Sequence, residues 1–324
     1  MAKSKRLKRY TKCSEKKRQN QLFNYNEKQF YRELNENNTS KNQGIPSEQD
    51  VLKYWSSIWS KPKEHNLTAN WIESEKQQRD IQPMKFESIT ESVISEAIRA
   101  TSNWKAPEVD KIHNFWYKKF VCLHKGLAKY FTHILKNPGD TPDFLTQGTT
   151  YMVPKSALTN DPSQYRPITC LPTMYKMLTS CIANKIYKHV EDHNILAEQQ
   201  KGCRRGHQGC KEQLIIDSII LGQAKEYKRN IHTAFIDYKK AYDSVPHSWL
   251  LKVLEIYNIH PNIIDFLKNT MQHWRTNLQL QVGNQAISTD RISIKNGIFQ
   301  GDSLSPLWFC LALNPLSSML NYDN

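Results

Sequence analysis

Phe235-Ile236-Asp237-Tyr238-Lys239-Lys240-Ala241-Tyr242-Asp243 is the stretch on which the reading of this chain turns. Residues 231–236 form a short apolar run of the kind that makes a buried β-strand, and a tight turn follows it. An acid just past such a run projects at the carboxyl edge of the strand, where α/β proteins bring their ligands. One carboxylate there suits Mg²⁺, which takes oxygen donors and usually uses one or two carboxylates plus phosphates. The same Asp237 could instead cap the turn at 239–241. On this stretch alone, capping is the favoured alternative.

Two further segments carry chemistry. Asn296-Gly297-Ile298-Phe299-Gln300-Gly301-Asp302-Ser303-Leu304-Ser305-Pro306-Leu307-Trp308-Phe309 brackets a glutamine with glycines ahead of a helix start. Gly301 would let the backbone approach a neighbour closely, and the helix start offers free N–H groups. Upstream, Lys155 and Arg166 flank a Pro/Asp/Ser loop of a length that two strands can straddle as a hairpin. Two cations so placed can clamp a triphosphate, arginine through its fork and lysine as a point charge. Taken singly, each is a surface charge.

Around these segments the chain divides in texture. Ser47 with Asp50 resembles a capping box, and Val51, Trp55, Ile58 and Trp59 recur at helical spacing. Further helices are expected at 67–80, at 90–100 behind Thr90, and at 114–136. The last of these carries a wide apolar stripe read as core, with Asn137-Pro138-Gly139 as its stop. Beyond residue 148, strands at 149–153 and 231–236 alternate with helices at 174–189, 208–227, 248–257, 262–273 and 304–320. A hairpin spans 277–294 around Gly283-Asn284. The expected organisation is a basic, mostly unfolded tail at 1–46, a helical extension at 47–137, and an α/β body divided at about 138–230 and 231–324.

The chain has 324 residues and a net charge of +14. Nine Lys/Arg against one acid in residues 1–20 supply +8 of that charge, so the body is only mildly basic. Such a balance favours a polyanionic partner, nucleic acid before a membrane surface. The cluster at 3–9 could serve as a nuclear address or a loose grip on phosphate. Seven cysteines in this length rule against a disulfide scaffold and fit a reducing compartment. No apolar run reaches the roughly 20 residues of a membrane span, so no membrane partner is expected. His189 and His193, followed by Cys203, His207 and Cys210, could make a zinc site, but their spacing fits no standard zinc module and no zinc is expected.

The order and wording of the motifs resemble the reverse transcriptase domain of non-LTR (LINE-type) retrotransposons from about Trp104 to Leu320. Tyr165-Arg166-Pro167-Ile168, with Tyr175-Lys176 after it, is similar to a fingers motif. Residues 198–206 (Glu-Gln-Gln-Lys-Gly-Cys-Arg-Arg-Gly) are similar to the next motif, residues 235–245 to the first palm motif, and residues 297–309 to the Gln-Gly-x-x-x-Ser-Pro motif. The resemblance implies an α/β (α+β) right-hand polymerase fold: fingers over 138–230, a partial palm over 231–324, and an N-terminal helical extension. The activity implied is RNA-directed DNA polymerisation. An RNA template directs phosphoryl transfer from dNTP to the 3′-hydroxyl of a DNA primer, with two Mg²⁺ ions.

The same resemblance assigns the roles. Asp237 is the catalytic metal ligand, with a backbone carbonyl from Ile236 or Tyr238. Tyr242 is the aromatic that collides with a ribose 2′-OH. Gln300 and Gly301 line the nucleotide and template side, and Arg166 and Lys155 hold the triphosphate. Lys201, Arg204 and Arg205 contact nucleic acid, and Asp243 is a structural acid. An intracellular, nuclear setting is implied for the parent element. The family also carries an Ala-Asp-Asp strand that these 324 residues do not contain, so half of the metal site is missing and the chain reads as an incomplete, inactive copy. The alternative is a non-catalytic nucleic-acid-binding fragment. Cys203 stands where many relatives have Phe, and Glu108 where they have Gly.

Overall fold

The computed structural model describes residues 44–77, 80–105, 110–155, 158–282 and 285–322, together with residues 18 and 107. Two units separate, Met1–Ile45 and Pro46–Asn324, and the sheet and its packed helices belong to the second. The tail expected over 1–46, with its cluster at 3–9, lies almost wholly outside the described residues. So do the turn at Gly283-Asn284 and Glu108.

Helix α1 (Glu48–Trp59) begins where its capping pair dictates: the Ser47 hydroxyl accepts from the Asp50 amide at 3.1 Å and donates to the Asp50 carboxylate at 2.6 Å. Its apolar spacing sends Val51, Trp55 and Trp59 into the core. Helix α2 covers Asn70–Gln77, and α3 covers Glu91–Ala100 with Thr90 accepting from Val93. The single helix expected over 114–136 is broken. Helix α4 (Asn114–Lys119) ends at Phe120, whose φ −93° and ψ 67° are not helical, and α5 (His124–Lys136) starts after a 3₁₀ turn. The break divides the apolar stripe. Phe131 and Ile134 are core, as expected, joined by Ala128 and Leu135, but Trp116, Phe120 and Leu123 are about half exposed.

The strands form one mixed sheet in the order β2-β1-β3-β4, with β5 also on β3. β1 (Gln147–Pro154) and β2 (Tyr165–Cys170) make the predicted hairpin, with Val153 opposite Arg166. β3 (Arg275–Val282) lies parallel to β1, and β4 (Gln285–Ser288) and β5 (Ile292–Ser293) return antiparallel to it. Three buried threonines tie the central strands: the Thr150 hydroxyl is 2.9 Å from that of Thr169 and 2.8 Å from that of Thr276. Such cross-strand hydroxyl pairs satisfy one another where no water reaches.

Helices α6 (Thr173–Asp192), α9 (His247–Ile256), α10 (Pro261–His273) and α11 (Ser305–Tyr322) supply most of the remaining core. Two indoles join α9 to α11, Trp308 donating to the Leu250 carbonyl at 2.8 Å and Trp249 to that of Ala312 at 3.0 Å.

One expectation is corrected here, and one helix forms as expected but without a covered face. The run 231–236 is not a buried strand: residues 231–238 pair with no described strand, and Phe235 is 87% and Ile236 70% exposed. Helix α7 (Cys210–Glu226) forms close to its predicted span but buries no residue, leaving Leu214, Ile215, Ile216, Ile219, Ile220 and Leu221 exposed. The physical reason is common to both. A strand gains its hydrogen bonds only from a neighbouring strand, and an apolar helix face is buried only against another apolar surface. Among the described residues neither partner is present.

Candidate functional site

The turn that follows Asp237 is held from three directions. Short helix α8 (Ala241–Ser244) is entered through Lys240 at φ +55°. The Lys240 ammonium is buried without a hydrogen bond and lies 4.1 Å from the Trp55 ring centre and 4.6 Å from that of Tyr54. The negative faces of the rings replace part of its lost hydration. Burial still pushes its pKa down, while Asp243 and Asp161 pull it back up.

Asp243 is buried and accepts from the Trp59 indole at 3.3 Å and from the Gln300 amide at 3.4 Å. Burial raises its pKa to about 6 against the opposing pull of Lys240, the two hydrogen bonds and Lys155. Asp243 is therefore a structural acid that fixes a glutamine.

The Gln-Gly segment docks on this turn and on the hairpin together. Ile298 and Gly297 donate their amides to the carbonyls of Tyr242 and Val245, both at 2.8 Å, and Asn296 bonds the Asp243 carbonyl. On the other side the Gln300 carbonyl accepts from the Thr169 amide of β2 at 2.8 Å. Gly301 has φ +134°, and a Cβ there would fall 2.4 Å from the Thr169 oxygen. Only glycine fits this contact. Asp302 is buried beyond it, bonded by the Thr179 hydroxyl at 2.6 Å, and burial raises its pKa to about 6. His247 donates to the Gly297 carbonyl at 2.9 Å, and burial lowers its pKa to about 4.

Tyr242, Gln300 and Gly301 meet around Asp243 and Thr169. The Tyr242 ring is half-buried and stacked on Phe309 at 4.7 Å. Lys155 and Arg166 are exposed on the adjoining hairpin, the Lys155 ammonium donating to the Ser163 carbonyl at 3.1 Å. Asp237 stands apart. It lies on the exposed segment with Ile236 and Tyr238 and makes no hydrogen bond or ion pair among the described residues.

In the next motif Arg204 bonds the Ala197 carbonyl and Glu191, and Arg205 bonds Asn184 and stacks on Tyr187 at 4.6 Å. Both arginines thus have roles inside the protein, and Lys201 beside them is half-exposed. His189 and His193 bond the carbonyls of Tyr257 and His189, and His207 bonds Glu212.

Sequence reasoning did not foresee Trp59 and Lys240. Helical spacing marks Trp59 as core, and nothing local says which acid its N–H would meet. The buried charge at Lys240 depends on rings nearly two hundred residues upstream.

An oxygen-rich donor set is present at residues 236–238: one exposed carboxylate flanked by two backbone carbonyls. This is the kind of donor set Mg²⁺ takes together with substrate phosphates. Among the described residues no three or more His, Cys, Asp or Glu side chains come together as a group that could hold a metal ion.

Comparison with known proteins gives the wider setting. Residues 153–323, more than half of the chain, match the family described as reverse transcriptase (RNA-dependent DNA polymerase). A Drosophila melanogaster Pol polyprotein from the type-2 retrotransposable element R2DM is 21% identical over 84% of this chain. One from the R2 element of Popillia japonica is 28% identical over 57%, and a probable RNA-directed DNA polymerase from the Drosophila melanogaster X-element is 31% identical over 67%. The chain spans 24% of the length of each of these relatives.

Proposed function

The chain belongs to the reverse transcriptase (RNA-dependent DNA polymerase) family, in agreement with its LINE-type motifs, and from that premise we propose that it forms the fingers and upper palm of a retrotransposon polymerase. The parent reaction is template-directed addition of dNTPs to a primer 3′-hydroxyl, on an RNA template. One observation carries this reading: the Gln300-Gly301 loop joins the Tyr242 turn to the hairpin bearing Lys155 and Arg166, so three separate motifs share one small region.

Each side chain has a task there. The exposed Arg166 guanidinium and the Lys155 ammonium offer positive charge to a triphosphate, the first as a planar two-point donor. The Tyr242 ring, held flat by Phe309, presents a wall against the sugar and excludes a 2′-hydroxyl. Gln300, oriented by Asp243, faces the nucleotide from the opposite side. Asp237, with the Ile236 and Tyr238 carbonyls, would hold Mg²⁺. Bound there, the ion stabilises charge on the reacting phosphate and lowers the pKa of the attacking hydroxyl. Lys201 and the exposed edge of Arg205 are left to meet a phosphate backbone.

For the 324 residues by themselves a second reading is favoured by the isolation of Asp237 on an exposed segment: they bind nucleic acid without polymerising. Primer extension on an RNA template with Mg²⁺ tests both parts, on these residues alone and within a longer frame containing them. Incorporation is expected only in the longer frame and is lost with Asp237→Ala. Synthesis by the 324 residues refutes their inactivity, and synthesis that survives Asp237→Ala refutes the metal assignment.

A further inference from the structure

Lys240 is a lysine in an unfavourable place. Its backbone lies in the left-handed region at φ +55°, uncommon for a side chain of this size, and its ammonium is enclosed without a hydrogen-bond partner. The groups around the charge are aromatic. The ring centres of Trp55 and Tyr54 lie 4.1 and 4.6 Å from Nζ, and the two rings stand edge to face, 5.5 Å apart. Ring faces replace only part of the hydration that an ammonium loses on burial. An uncharged side chain of the same length would therefore leave the protein at least as stable. What the charge adds is direction, because an ammonium is held to the ring faces, whereas the hydrophobic attraction of an alkyl chain has no preferred orientation.

Both rings belong to α1, which precedes the residues 153–323 that match the family. That helix is anchored on two sides of the pocket: it packs against the 3₁₀ turn Pro162–Gln164 of the hairpin and against β5, and the Trp59 carbonyl accepts from the Lys295 amide at 2.7 Å. At the other end of the contact, Lys240 opens α8 and Tyr242 follows two residues later. Phe309 supports one face of the Tyr242 ring, and the Lys240 contact fixes the backbone that carries it.

We infer that Lys240, gripped by the Tyr54–Trp55 ring pair, is a positioning residue that sets the Tyr242 wall and so governs the choice between deoxyribonucleotide and ribonucleotide. Lys240 acts only through the turn and touches no reacting atom. This role rests on the proposed placement of Tyr242 against the sugar, and it makes sugar selection depend on a helix outside the family-matched span.

Primer extension by a longer polymerase frame containing these residues tests the role in Lys240→Met, Tyr54→Leu and Tyr242→Ala. Lys240→Met is expected to lower the dNTP/rNTP preference roughly tenfold, with kcat for dNTP within about twofold and a melting temperature no lower than the parent's. Tyr54→Leu gives the same loss, and the two changes together give no more than either alone. In the Tyr242→Ala background, Lys240→Met has no further effect. In the 324-residue protein, exchange of the Ile298 amide, held by the Tyr242 carbonyl at 2.8 Å, quickens about tenfold in Lys240→Met. A preference lost in Tyr242→Ala but kept in Lys240→Met overturns the positioning role. A melting temperature that falls together with the preference assigns Lys240 to bulk stability and overturns it too. If Tyr242→Ala itself keeps the preference, the sugar-wall reading fails, and the Ile298 amide decides for Lys240: exchange at the parent's rate means that it does not hold the turn.

Discussion

The indole N–H of Trp59 donates to the Asp243 carboxylate at 3.3 Å across 184 residues of sequence, and the other oxygen of that carboxylate holds Gln300. The first helix is thereby part of the candidate site. Trp59→Phe keeps most of the packing but leaves the buried carboxylate one donor short. The expected loss is about 2 kcal/mol, the usual range for a hydrogen bond to a charged group, measured by urea denaturation. A loss no larger than that of an exposed substitution would separate α1 from the site.

Gly301→Ala should be among the most damaging single changes in the body of the protein. The added Cβ would fall 2.4 Å from a backbone oxygen of β2, at a φ of +134° that L side chains rarely adopt. Backbone cannot yield as a flexible side chain does, so a cost of about 3 kcal/mol or more is expected. Thermal melting gives the magnitude. Amide exchange at Thr169, whose N–H is held by the Gln300 carbonyl, shows whether the loop has left the strand.

His247 should remain neutral through the range where an ordinary histidine titrates. Burial holds its folded pKa near 4, while the unfolded chain takes up its proton near the ordinary histidine value of 6.5. Its contribution to stability is therefore complete above pH 6.5 and is lost as the pH falls from 6.5 towards 4, by an amount on the order of 3 kcal/mol. Asp243 and Asp302 act in the opposite sense. Their folded pKa values near 6 retain protons that the unfolded chain releases above 3.8, so their share falls as the pH rises between these values. Imidazole NMR shifts isolate the His247 effect, and a midpoint above pH 6 would contradict it.

The apolar surface of α7 yields a counter-intuitive expectation. Ile215→Lys and Ile219→Lys alter residues that are 61% and 54% exposed, so the folded 324-residue protein should lose less than about 0.5 kcal/mol and become more soluble. In a buried helix the same changes would be severe. Melting temperature together with light scattering checks the point, and a large destabilisation would mean that this face is covered.

Tyr242→Ala should relax sugar selection in any active polymerase that contains these residues. The ring is stacked on Phe309 and has little freedom to swing aside, so truncating it opens space at the 2′ position. The dNTP/rNTP incorporation ratio is the measurement, and an unchanged ratio removes Tyr242 from this role.

Local signals were enough for much of this protein. Ser47 and Thr90 marked helix starts because a cap is decided by residues three apart in sequence. The alternation in 277–282 and the break around 283–284 marked a hairpin because pairing across a short turn is nearly local. The family could be read from motif strings because side-chain chemistry at fixed spacing is written directly into the chain. Tertiary structure decided everything that needs a distant partner. Residues 231–236 have the composition of a buried strand and α7 the sequence of a packed helix, but burial is a property of two surfaces, and among the described residues only one is present. The pairings of Trp59 with Asp243 and of Tyr54 and Trp55 with Lys240 join segments that no periodicity connects. Their closeness exists only once the intervening chain has folded and excluded water from between them.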